Sequence, residues 1–221
     1  MTWSFAGCPG DALLAALPER MVEDAHRWVE RGFTALRYAP LAAFEALAID
    51  DYIRQVKIPT ISPSAAAEDL TQRKTNPWFV RGTSTSAQCA HPLADYCYKE
   101  LKYRRMAVIA DDIAYGHEMC AGFMRVFEDA GGKVVQRMFP PLTVPDYGTY
   151  LAQLKTNVDA IFLGFAGSNG FRYLRQFNEY GLLGKVKPIG GMTALDEAVL
   201  RNMGDEALGI VTSCWYSAEI D

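Results

Sequence analysis

The stretch RRMAVIADDIAYGHEMCAGFMRVFEDAGGKVVQRMF, residues 104–139, decides the fold. Met106–Ala110 is an unbroken apolar run ending at two acids, the pattern of a parallel strand covered on both faces. After it, Met119, Phe123, Phe127 and Ala130 recur at helical spacing, which predicts a helix over Tyr115–Ala130. Gly131-Gly132 supplies its stop. Val134–Phe139 then reads as the next strand, and strand–helix–strand is the unit of an α/β sheet.

Working outward, the same alternation continues in both directions. Downstream come helix Tyr147–Thr156, strand Ala160–Gly164, helix Asn169–Tyr180 stopped at Gly181, strand Val186–Gly190, helix Leu195–Asn202 and strand Leu208–Ser213. Upstream, helix Ser86–Leu101 carries Ala90, Leu93, Ala94, Cys97 and Leu101 on one face. Its Pro92 fits only in a first turn or at a bend. Before it lie strand Trp78–Arg81, strand Lys57–Ile61 and helix Glu45–Val56, the last with Ala46, Ile49, Ile53 and Val56 on one side. Residues 11–31 show an apolar stripe interrupted by Pro18, and Phe33–Pro40 reads as a strand. The order predicts open parallel sheets with helices on both faces. Ligands of such sheets bind beyond the carboxyl ends of the strands. The loops to inspect are therefore Ser62–Ala67, Asp111–Tyr115, Phe165–Asn169 and Gly191–Ala194.

Composition narrows the function. The chain has 221 residues, half of them hydrophobic, and a formal net charge of −4. That argues against a phosphate-tracking basic surface and so against nucleic acid as a partner. No apolar run approaches the roughly 20 residues of a spanning helix, so direct membrane insertion is not expected. The start MTWSFAGCPG has neither a basic nor a long apolar region and does not read as a secretory signal. Phe5-Ala6-Gly7-Cys8 faintly resembles a lipoprotein cleavage box, but a small-residue turn is the expectation there. Five cysteines (8, 89, 97, 120, 214) and three histidines (26, 91, 117) show neither a disulfide framework nor zinc spacing. No metal and no cofactor is expected.

The loops offer limited chemistry. Ser62-Pro63-Ser64-Ala65-Ala66-Ala67 presents hydroxyls and N–H groups beside small side chains, suited to a carboxylate or phosphate, or simply a Ser/Pro turn. Asp111-Asp112 suggests a magnesium site, but no third acid or lysine completes it. Carboxylates favoured by a helix start are the simpler reading. Tyr115 opens a helix where its ring covers a ligand or packs. Gly164-Phe165-Ala166-Gly167-Ser168-Asn169-Gly170 has the spacing GxxGxxG, which matches neither the dinucleotide fingerprint nor the P-loop. His117 falls on the exposed side of its helix. No nucleophile, base and orienting acid assemble, so binding is expected rather than catalysis.

The phrases KIPTISPSAAAEDLTQ, NPWFVRGTSTSAQ, LADYCYKEL, RRMAVIADDIAYGHE, FEDAGGKVV, PDYGTYLAQLKTNVDAIFLGF and GDEALGIVTS occur in this order. Together they resemble the substrate-binding proteins of branched-chain-amino-acid-type ABC transporters, the type I periplasmic binding proteins, from about Glu45 to Thr212. The resemblance implies two α/β lobes closing over a small ligand, without covalent chemistry, and handing it to a membrane permease. It implies a periplasmic or other extracytoplasmic location. It assigns the ligand carboxylate to the loop of Ser64, Ala65 and Ala66, with Ala66 standing where a Thr is common. Tyr115 becomes the residue that covers the ligand, and Phe165 or Ala166 the aromatic position after its strand. Amino-acid binders usually carry an acid on the loop that here reads Gly190-Gly191-Met192-Thr193. Its absence favours an apolar or aromatic acid, lined by Phe165 and Met192, over an α-amino acid. Residues 1–103 would form a partial first lobe, with 1–44 atypical. Residues 104–213 would form the second lobe, and 214–221 a return crossover toward the first. A ligand-sensing regulator of the same fold, and a phosphate-handling enzyme using Asp111 and Asp112, are the alternatives.

Overall fold

The computed structural model describes residues 37–38 and 42–214. The predicted helix over 11–31 and most of strand 33–40 lie outside them. Two compact units divide between Thr83 and Ser84. The lobe boundary read from sequence, 103/104, falls after the helix that leads into the second sheet.

The first unit is built on a parallel three-stranded sheet in the order β1-β2-β3, with β1 Arg37–Tyr38, β2 Thr60–Ser62 and β3 Phe79–Arg81. The single helix expected over 45–56 is two short ones, α1 (Ala43–Ala48) and α2 (Asp50–Val56). Ile49, with ψ near 4°, ends one and caps the other. The break leaves Ala46 and Ile53 fully buried, while Ile49 and Val56 are only partly so. Lys57 closes α2 in the left-handed conformation, which moves the start of β2 from Lys57 to Thr60. Arg54 binds Asp50 at 2.8 Å and the carbonyls of Lys74 and Thr75, holding α2 to the turn before β3.

The second unit is a five-stranded, all-parallel sheet in the order β5-β4-β6-β7-β8. Its strands are β4 Arg105–Ala110, β5 Lys133–Met138, β6 Ala160–Gly164, β7 Lys187–Gly190 and β8 Val211–Thr212. Five helices accompany it: α3 Ser86–Lys99, α4 Ala114–Asp129, α5 Gly148–Gln153, α6 Ser168–Glu179 and α7 Glu197–Leu200. Strand side chains alternate between two helical layers. Ala107, Ile109, Ile161 and Leu163 join Tyr147, Leu151, Tyr173, Leu174 and Phe177 in one core. Phe162 points the other way and stacks on Phe123 of α4, ring centres 4.3 Å apart. Both faces are thus covered, which is why β4 and β6 read as continuous apolar runs.

α3 starts at a Thr85 cap whose hydroxyl accepts from the Gln88 N–H, while the Gln88 side chain accepts from the Thr85 N–H. Pro92 stands seventh in α3, not in its first turn, so the Gln88 carbonyl has no i+4 donor there. α4 and α6 stop at Gly131 (φ +105°) and Gly181 (φ +64°), as expected. Strand 208–213 contracts to β8 because Gly209 takes φ +75° and Ile210 N–H turns back to the Ala207 carbonyl. α5 is shorter than 147–156 because the Lys155 N–H donates to the Gln136 side chain instead of continuing the helix. No described helix is long and apolar enough to cross a membrane.

Candidate functional site

Strand order reverses between β4 and β6, and the loops leaving their carboxyl ends diverge there. In open parallel sheets this is the place where ligands bind. Asp111 follows β4, Phe165-Ala166 follows β6, and Gly191-Met192-Thr193 follows β7. The sheet therefore gathers four predicted residues, Tyr115, Phe165, Ala166 and Met192, at one edge.

Asp111 organises this edge. Its side chain is fully buried, and its two oxygens accept from the Ala166 N–H (2.8 Å) and the Asn169 side-chain amide (2.7 Å). The Asn169 amide also donates to the Leu142 carbonyl (2.9 Å), and its oxygen accepts from Arg172 (2.8 Å). Arg172 reaches the Val144 carbonyl and lies over the Tyr147 ring. One hydrogen-bonded chain thus fastens the ends of β4 and β6 to the segment after β5. Burial pushes the Asp111 carboxyl above its usual range, against the opposing pull of the Ala166 N–H, the Asn169 amide and the Arg172 charge. Gly116 permits the tight start of α4. A Cβ there would lie 2.1 Å from the Asp111 carbonyl oxygen.

The phosphate-handling arrangement read from Asp111 and Asp112 does not form. The Asp111 oxygens face N–H donors, where a cation would need them open. Asp112 is exposed and binds His117 at 2.6 Å, and His117 stacks on Phe139 at 4.1 Å between ring centres. The two acids directly precede the cap of α4, Ile113, and neither lies in its first turn. Among the described residues, no group of three or more His, Cys, Asp or Glu is placed to hold a metal. The Gly164–Gly170 loop is not an open cradle either, because the Ala166 N–H and the Asn169 amide are engaged by Asp111.

Tyr115 lies at the first turn of α4, 7% exposed. Its hydroxyl is 2.8 Å from Thr193 Oγ1, and that hydroxyl donates to the Phe165 carbonyl at 2.7 Å. With the Thr193 proton so placed, Tyr115 O–H donates to Thr193. Burial drives the Tyr115 phenol well above its ordinary value, so it stays a neutral donor. Phe165 enters this relay through its main chain, because its ring is fully buried against Tyr147 and Tyr173. Met192 is buried, and Ala166 is partly exposed. Thr193 and Asn169 fall in loops the sequence singled out but gave no role there, and Arg172 was not singled out. A polar residue in the loop after a strand was the available signal for Thr193, whereas Arg172 lies inside α6 and Asn169 in its first turn.

In the first unit, the loop after β2 is a turn in which Ser62 Oγ accepts from the Ala65 N–H at 3.2 Å. Arg81 donates to the Ala65 carbonyl (3.2 Å), and the Gly82 N–H to the Ser62 carbonyl (2.9 Å). Ala65 and Ala66 are buried, and Ser64 is exposed. Arg81, which also binds Thr71, is the support that the sequence reading missed.

The chain as a whole is similar to known proteins. The Leu/Ile/Val-binding protein homolog 6 of Brucella abortus (strain 2308) is 24% identical over 182 residues, covering 80% of this chain and 45% of that protein. An ABC transporter substrate-binding protein from Sphaerobacter thermophilus matches with a TM-score of 0.78 at 33% identity, over 94% of this chain and 57% of that one. A solute-binding protein of an ABC transporter from Rhodopseudomonas palustris BisB5, in complex with 3,4-dihydroxybenzoic acid, matches with a TM-score of 0.73 at 30% identity, over 79% and 48%. The chain spans about half the length of these relatives. A family model described as periplasmic binding protein matches residues 15–221. With its parallel sheets, its strand order and that match over most of its length, the chain belongs to the periplasmic binding protein family.

Proposed function

We propose that the chain is part of the extracytoplasmic solute-binding component of an ABC importer, carrying a small carboxylate to a membrane permease without covalent chemistry. Within that class, an apolar or aromatic acid is the preferred ligand over an α-amino acid. One observation carries the preference. At the sheet edge Asp111 is engaged by protein donors, Asp112 is paired with exposed His117, and Gly190–Thr193 holds no acid. An ammonium buried there would have no carboxylate partner, and an uncompensated buried charge costs about 3–5 kcal/mol. The Rhodopseudomonas palustris complex with 3,4-dihydroxybenzoic acid supports the aromatic reading, and the Brucella homologue supports the amino-acid one.

The residues assigned to ligand contact are Ser64, Ala65 and Ala66 in the first unit. In the second they are Tyr115, Ala166, Met192 and, through its main chain, Phe165. Residues 1–103 are read as a partial first lobe, 104–213 as the second and 214–221 as the return crossover. The continuous sheet from Arg105 to Thr212 supports the second of these spans. The test is thermal shift and calorimetry on the full chain with benzoate, 3,4-dihydroxybenzoate, L-leucine and L-valine. An acid present at 100 times its Kd stabilises the folded state by about 2.7 kcal/mol. That raises Tm by about 5–11 °C in a chain of this size. Leucine binding without any aromatic-acid binding would overturn the proposal.

A further inference from the structure

A groove of about 330 Å³ opens on the second unit, lined by Pro92, Leu93, Tyr96, Val211, Thr212 and Ser213. The middle of α3 bounds it on one side, and β8 with the residue after it on the other. α3 ends at Lys99, shortly before β4 begins at Arg105, so its carboxyl end lies toward the amino ends of the parallel strands. α3 therefore runs antiparallel to β8, and its first turns lie near the carboxyl end of that strand. Cys89 precedes Leu93 by four residues and Pro92 by three, which places it on the helix face that lines the groove. Moving from Leu93 back to Cys89 advances about 6 Å toward the carboxyl edge, and from Ser213 to Cys214 about 3 Å the same way.

We propose that Cys89 and Cys214 are a disulfide-forming pair, a covalent staple between the start of α3 and the end of β8. Cys89 is nearly buried with its sulfur 2.8 Å from Ser84 Oγ, and Cys214 is exposed. Burial pushes the Cys89 thiol up, and the Ser84 hydroxyl pulls it back. Exposed Cys214 reacts first. Its thiolate attacks one sulfur of a small-molecule disulfide, forming a mixed disulfide and releasing one thiol. Deprotonated Cys89 then displaces the second thiol and closes the Cys89–Cys214 bond. Two protein thiols lose two electrons and two protons, and the external disulfide takes them up as two thiols. Cys97 and Cys120 stay out of the exchange, because both are fully buried, whereas Cys89 keeps 7% exposure. The extracytoplasmic location proposed above would supply the oxidising surroundings, but the pairing itself does not depend on the ligand reading.

The test treats the full chain with oxidised glutathione, followed by peptide mapping under non-reducing conditions and a melt with and without reductant. The expected product is an intramolecular Cys89–Cys214 cross-link, absent in Cys214→Ser and Cys89→Ala. Closure raises Tm by about 5–15 °C, the effect of a cross-link closing a long loop in a chain of this size. Cys214→Ser changes an exposed side chain, so it keeps the test decisive if Cys89→Ala fails to fold. Stable glutathione on Cys214 with Cys89 still reduced, or a dimer joined through Cys214, would overturn the proposal.

Discussion

Replacing Asp111 tests whether the carboxyl edge of the second sheet is held by a buried acid. Asp111→Ala takes the acceptor from the Ala166 N–H and from the Asn169 amide. A buried donor left without a partner costs about 1–3 kcal/mol. Asn169 keeps the Leu142 carbonyl, so its share is the smaller one, and about 2–4 kcal/mol is expected in all. At about 2–4 °C per kcal/mol, Tm falls by about 4–16 °C. The loss also depends on pH. Burial raises the carboxyl above its unfolded value of 3.8, so the folded protein holds a proton that the unfolded chain has released. Stability contributed by Asp111 is therefore complete below that value and declines as pH rises through the higher folded pKa. The difference between wild type and Asp111→Ala should be larger at pH 4 than at pH 7.5. Urea unfolding followed by circular dichroism across that range measures it, and hydrogen exchange at the Ala166 amide reports the local bond. A difference that grows with pH, or an Ala166 amide equally protected in the variant, would refute the reasoning.

Thr193→Val keeps the side-chain shape but removes the link from Tyr115 to the Phe165 carbonyl. A stability loss of about 1–2 kcal/mol and weaker binding of whichever acid gives a thermal shift are expected, with Thr193→Ser restoring most of both. Equal behaviour of the Val and Ser variants would show that the hydroxyl is idle. Gly116→Ala gains helix propensity worth about 0.5–1 kcal/mol, yet its Cβ meets the Asp111 carbonyl oxygen at 2.1 Å. The clash should win and lower stability by about 1–3 kcal/mol in a denaturant melt. A more stable variant would mean that the start of α4 is looser than described.

The fold was legible where burial is two-sided and local. MAVIA and AIFLG carry no alternation because helices cover both faces of β4 and β6, and the stops at Gly131 and Gly181 follow from backbone freedom at one residue. Errors arose where a distant or conformational constraint overruled the local pattern. The apolar face over 45–56 continues in sequence, but the backbone turns at Ile49. The apolar run 208–213 has a strand's composition, yet Gly209 at positive φ leaves only Val211–Thr212 in register with β7. Pro92 stands within α3, where the helix is held on both sides of it by packed residues such as Cys89, Leu93 and Cys97.

The site was legible only as a set of loops, for the same physical reason. A strand that ends in a parallel sheet points its loop toward the carboxyl edge, so position follows from topology, and the partners do not. Asp111 finds its donors 55 and 58 residues away, a separation with no periodic signature. Its neighbour Asp112, equivalent in the sequence, turns to solvent and pairs with His117. The difference between the two acids bears on what this edge can accept. A guest bearing a cation would have to take Asp111 from the donors that fasten β4 to β6, or draw Asp112 in from solvent, and either step weakens the scaffold or desolvates a charge. A guest bearing one carboxylate and an apolar body asks neither of them. The pairing already present among Asp111, Asn169, Arg172, Tyr115 and Thr193 is thus the physical ground for the proposed preference for an acid with an uncharged body.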